Sequence, residues 1–134
     1  MSRKAMWLVL VGGVLVIVGV LLQAFSIAAW TRGAGEGALD MHNANSMTVH
    51  LGQILIVVGA IWAYWRRWVP IGLAILFLVL SFLQLVSVGD TDTPGGWVHG
   101  LHGLLAIVVL FAGAAYLHVA VRELDVRGRR SASS

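Results

Sequence analysis

Residues 5–30 read AMWLVLVGGVLVIVGVLLQAFSIAAW, twenty-six positions without one Asp, Glu, Lys or Arg. At ~1.5 Å rise per residue such a helix spans more than the ~30 Å hydrocarbon core of a bilayer. Arg3 and Lys4 precede the run, as the basic end of a secretory signal would. The apolar stretch is longer than the ~7–15 residues of a signal core, so it reads as a retained anchor helix.

The pattern returns three times. Met47–Trp65, Val69–Val88 and Trp97–Val121 are likewise free of charged side chains and sit near the ~20 residues a span requires. The whole chain of 134 residues is 59% hydrophobic and 11% charged, with a mean hydropathy of +0.88. A water-soluble domain of this size cannot hide so much apolar surface, so the bilayer is the solvent. Lipid offers no hydrogen bonds to an open backbone, which leaves helices or a closed barrel, and runs this long and continuous are helices. The expectation is an all-α membrane protein, a four-transmembrane-helix bundle forming one integral membrane domain over 1–134. Its helices lie at about 5–30, 47–65, 69–88 and 97–121.

Charge sets the orientation. Arg3, Lys4, Arg66, Arg67, Arg122, Arg127, Arg129 and Arg130 fall on one side of the four spans and Arg32 alone on the other. That bias places both termini in the cytoplasm of a bacterial inner membrane. The net charge of +3 is then topological and does not point to nucleic acid. The tail ELDVRGRRSASS reads as a solvated segment facing lipid headgroups, with a weak role toward anionic lipid. Trp7, Trp30, Trp62, Trp65, Trp68 and Trp97 cluster at span ends as interfacial anchors do. The absence of cysteine excludes disulfides, thiolate chemistry and iron–sulfur clusters. No GxSxG elbow, phosphate loop or intramembrane carboxylate pair supports hydrolysis.

The two halves of the chain, 5–65 and 69–121, resemble each other. VHLGQILIVVGAIWAY (49–64) lies over LHGLLAIVVLFAGAAY (101–116), matching His50 with His102 and Tyr64 with Tyr116 at an offset of 52. VLLQAFSI (20–27) lies over SFLQLVSV (81–88), matching Gln23 with Gln84 and Ser26 with Ser87 at an offset of 61. The nine-residue difference falls in the connection TRGAGEGALDMHN, where an insertion disturbs least. Two hairpins of like topology predict a parallel pseudo-twofold repeat about the membrane normal. Gly12, Gly19, Gly52, Gly59 and Gly113 would let the helices approach closely.

Polar side chains inside lipid are costly and normally face the bundle interior. His50, His102, Gln23 and Gln84 all fall in the outer leaflet, with Ser26 and Ser87 one turn nearer the surface. Two imidazoles across a bundle form a natural axial pair for haem iron, metal-bound through His50 and His102. Gln23 and Gln84 would orient the rings. Gly52, Gly100 and Gly103 would give a flat macrocycle room, and the outward helix N-termini suit its propionates. A purely structural network of interhelical hydrogen bonds explains the same residues. His42 and His99 open a third reading, in which they join Asp40, Met41, Met47, His50 and His102 in an external copper or zinc site. His118 has no counterpart, because the offset of 52 sets Arg66 opposite it, so a second, inner haem would lack a ligand. It reads as an interfacial residue near Arg122.

LLQAFS and FLQLVS near the outer ends of helices one and three, with TVHLGQ and GLHG opening helices two and four, resemble a family of small four-helix bacterial membrane proteins. That family is known mainly as a domain of unknown function. More distantly the bundle is similar to the four-helix haem-binding units of haem A synthase and cytochrome b561-type proteins. The resemblance implies b-type haem on transmembrane histidines, and it carries over to His50 and His102. The chain departs from the cytochromes in lacking paired inner-leaflet histidines, and from the synthase in lacking an acid beside its histidines.

These features predict a membrane protein with one b-type haem near the extracytoplasmic face, serving electron transfer, haem handling or redox sensing. The alternatives are a non-catalytic accessory subunit of a larger respiratory or transport complex, or the external copper or zinc binder. Lipid is the expected surrounding, with a redox partner or an oligomer as further company.

Overall fold

The structure, a computed structural model, describes residues 2–86 and 96–132. It is all-helical: α1 covers Arg3–Thr31, α2 Glu36–Ala63, α3 Trp68–Val86 and α4 Gly96–Ala132. Each is long and apolar enough to cross a membrane. Each helix packs against its neighbours in the chain, and α4 closes the ring against α1. The start of α1 and the end of α4 lie side by side, where Arg3 and Arg129 line one cleft.

Two helices outrun their expected limits. α2 begins at Glu36, not Met47, so most of TRGAGEGALDMHN is helix and the α1–α2 connection is short. Gly33 and Gly35, at φ of 87° and 83°, make that turn in the left-handed region that glycine tolerates. Glu36 then opens the helix, a carboxylate at its positive end. At the other extreme α4 does not stop at Val121 but runs through RELDVRGRRSA to Ala132. Arg, Glu and Leu are good helix formers, so the helix continues out of the apolar layer as a polar one.

α1 is the spine. Ala5, Gly12, Gly19 and Ser26 recur every seven residues and are all buried. A Cβ placed on Gly12 would stand 2.5 Å from the Gly52 carbonyl oxygen, and one on Gly52 would stand 2.7 Å from that of Gly12. Gly59 meets Val9 and Ala5, and Gly19 meets Val49. The two backbones therefore run antiparallel in direct contact, as small residues on a heptad stripe allow. On its next face, Gly13 receives Leu117, and Val16 packs on Gly113 of α4. Met6, Val16, Ile56, Phe77 and Val109 fill the core between the stripes. Trp62, Trp65, Trp68 and Trp97 are exposed at helix ends, as membrane-interface anchors are.

Candidate functional site

At the end of the bundle away from the termini, α2 and α4 each carry a histidine at the same depth. His42 follows Glu36 by six residues and His102 follows Gly96 by six, about 9 Å into either helix. Their ring centres are 6.3 Å apart, with planes inclined at 50°.

Both rings are tethered alike. His42 Nδ1 lies 3.0 Å from the main-chain carbonyl oxygen of Gln23, and His102 Nδ1 lies 3.1 Å from that of Gln84. A carbonyl oxygen only accepts, so in both rings Nδ1 carries the proton and donates it. In a ring that carries only that proton, Nε2 is the lone-pair nitrogen, the tautomer a metal ligand needs. Ser26 Oγ donates to the same Gln23 carbonyl at 3.1 Å, while Gln84 Nε2 donates to the main-chain carbonyl of His102 at 3.3 Å. Gln23 and Gln84 thus orient the imidazoles through their backbones.

His50 belongs to a separate group. Its Nδ1 lies 3.2 Å from Gln53 Oε1 and 3.3 Å from Ser81 Oγ, and its ring stacks on Phe82 at 5.4 Å between centres. Gln53 is fully buried, and among the described residues its Nε2 has no hydrogen-bond partner. His50 and His102 still border one cleft of about 30 Å³, together with Gln23, Ser46, Ser81 and Gln84. That is the room of about one water.

The remaining expected site residues scatter. Gly52 is taken up by α1 and gives a ring no room, whereas Gly100 and Gly103 have nothing among the described residues within 4 Å of a placed Cβ. His99 and His118 are exposed, and Ser87 lies outside the described residues. Among the described residues no three of His, Asp and Glu come together as a metal-ion group, so the set of Asp40, His42, His50, His99 and His102 does not assemble as one.

The pairing of His42 with His102 had a signal in the sequence. Their offset of 60 nearly equals the 61 that separates Gln23 from Gln84. Burial follows the same register. Val49, Gln53 and Ala60 of α2 are buried, as are Val109, Gly113 and Ala120 sixty residues on. Gly13, Val16 and Val20 of α1 are buried, as are Ala74, Phe77 and Ser81 sixty-one residues on. Gln53, Ser81 and Phe82 were missed as partners of His50, although Gln53 stands one helical turn from it.

No family model matches the chain, and neither a curated protein nor a solved structure matches it.

Proposed function

We propose that the protein holds one b-type haem between His42 and His102 and serves electron transfer, haem handling or redox sensing. The observation that carries this reading is the matched pair of imidazoles, each with Nδ1 against a backbone carbonyl, which makes Nε2 the nitrogen a metal would take. His42 and His102, with ring centres 6.3 Å apart, are the residues that would hold the iron.

The donor set favours haem over a bare ion. A zinc or copper ion takes three or four protein ligands, and no such group exists among the described residues. Haem brings its own four nitrogens and asks for two axial ligands. When bound, it supplies one-electron transfer at the iron. The chain's part is to fix both rings in one tautomer through Gln23 and Gln84, which also raises ligand basicity. The 30 Å³ cleft beside His102 is too small for a macrocycle and does not include His42, so the helices would have to part to seat one.

The same pair redefines the internal repeat. With His42 opposite His102, helices two and four align at 60 and helices one and three at 61, leaving a one-residue difference where the offset of 52 left nine. The eight-to-one distribution of basic residues supports termini in the cytoplasm and the histidines near the outer face of a bacterial inner membrane.

The visible spectrum of protein purified from haem-replete cells tests the proposal. A Soret band lost in His42→Ala and in His102→Ala, and kept in His50→Ala, is the expected result. A colourless preparation sinks it. A band that survives His42→Ala but not His50→Ala moves the iron to the His50–His102 pair. A second reading, the accessory subunit, draws on the fact that both histidines join neighbouring helices. It predicts colourless protein that co-purifies with a larger complex.

A further inference from the structure

At the opposite end of the bundle the first and last turns of the membrane domain enclose a cleft of about 530 Å³. Arg3 of α1 and Arg129 of α4 border it, 126 positions apart in sequence. Leu10, Val121 and Leu124 form its apolar side, and Trp7, half exposed, stands at its edge. Asp125 is the acid among the described lining residues. The first turn of α1 contains no acidic residue, and Ser2 provides no side-chain cap. The positive end of a long helix therefore adds to the two guanidinium groups.

We infer that this cleft binds the phosphate of an anionic lipid, with Arg3 and Arg129 on the phosphodiester and an acyl chain along Leu10, Val121 and Leu124. The charges match: two arginines against Asp125 leave one positive charge, and a lipid phosphodiester carries one negative charge. Position matches as well. α1 enters its apolar span at Arg3 and α4 leaves its own near Val126, so the cleft stands at headgroup level with its apolar side running into the acyl layer. Arginine forks suit phosphate oxygens, and basic pockets between helices at the membrane surface take such headgroups. An apolar side of this kind serves a lipid and not a free phosphate ion. This inference does not depend on haem.

Native mass spectrometry of the detergent-solubilised full chain tests it, with dioleoyl-phosphatidylglycerol, dioleoyl-phosphatidylcholine and inorganic phosphate as probes. The expected result is one tightly held phosphatidylglycerol, bound in preference to phosphatidylcholine and not displaced by inorganic phosphate. Arg3→Gln and Arg129→Gln should each weaken it about fivefold, the usual worth of one basic residue at an anionic surface. Lys4→Gln is the control: Lys4 is exposed beside Arg3 and does not line the cleft, so binding should hold. Equal binding of the two lipids overturns the inference, as does a loss in Lys4→Gln that matches the arginine variants. Displacement by inorganic phosphate overturns the lipid assignment. Circular dichroism of each variant separates lost binding from lost fold.

Discussion

In the α1–α2 hairpin, glycines bring two backbones into contact; in α3 and α4, Gly113 packs on α1, and Gly72, Gly100 and Gly103 face nothing within 4 Å among the described residues. The difference extends to whole helices. Of an apolar stretch of 18 residues in α1, 44% is buried within the bundle, against 17% of such a stretch in α4. Water cannot drive helices together inside lipid, so close packing and interhelical hydrogen bonds must. The first hairpin has its heptad stripe as well as the His42–Gln23 bond. The second has no such stripe among the described residues and is tied by the reciprocal bonds between His102 and Gln84.

The largest test of the contrast is Gly52→Leu beside Gly103→Leu. A side chain on Gly52 meets the Gly12 carbonyl and the Val16 backbone nitrogen, and backbone cannot step aside as a side-chain tip does. Overpacking of that kind costs ~1–3 kcal/mol and more where backbones must part. The expected outcome is loss of the monodisperse folded protein in detergent, read by size exclusion and thermal unfolding. Gly103→Leu projects into open space and should leave melting within a few degrees of the parent. Equal loss in both variants would break the contrast between the hairpins.

How much of this was legible in the sequence depends on what each feature rests on. The four spans rest on hydropathy, which composition displays directly, so number and approximate position were readable. The start of α2 was not, because the glycines and polar residues of TRGAGEGALDMHN read as loop, although only Gly33 and Gly35 turn the chain. The helix register was the harder matter. In runs of Val, Ala, Leu and Gly, many offsets give good matches, and identity favoured 52 through His50–His102 and Tyr64–Tyr116. Packing responds to size and burial, which follow 60, and under that register Gln53 lies over Gly113. A residue's partner across a bundle is set by helix rotation, which one sequence records only weakly.

Gln53 gives the next test. It is buried where α4 has glycine, its Oε1 meets His50, and its Nε2 has no hydrogen-bond partner among the described residues. An unpaired buried donor costs ~1–3 kcal/mol, while one neutral hydrogen bond contributes ~0.5–1.5 kcal/mol. Gln53→Met keeps the length, removes both and leaves His50 bonded to Ser81. The expected net effect is stabilisation of about 1 kcal/mol, read as a higher midpoint in denaturant. A destabilised variant would mean that the amide is held by more than His50.

The smallest expected effect lies at the Gln23 carbonyl, which accepts from Ser26 Oγ within α1 and from His42 Nδ1 across to α2. The two donors use one oxygen but do different work. Ser26 bonds back along its own helix, a contact that bends helices slightly and adds little stability. His42 joins two helices, and bonds between membrane helices average ~0.6 kcal/mol. Ser26→Ala should therefore cost no more than a few tenths of a kcal/mol and leave a Soret band in place. His42→Ala should cost more and abolish the band. The double variant should fall short of the sum, because both substitutions act on one acceptor. Additivity would make Ser26 and His42 independent at that oxygen. If Ser26→Ala alone removed the band, the serine would be positioning the carbonyl that aims His42, and the counterpart role would then fall to Gln84 Nε2 in the second hairpin.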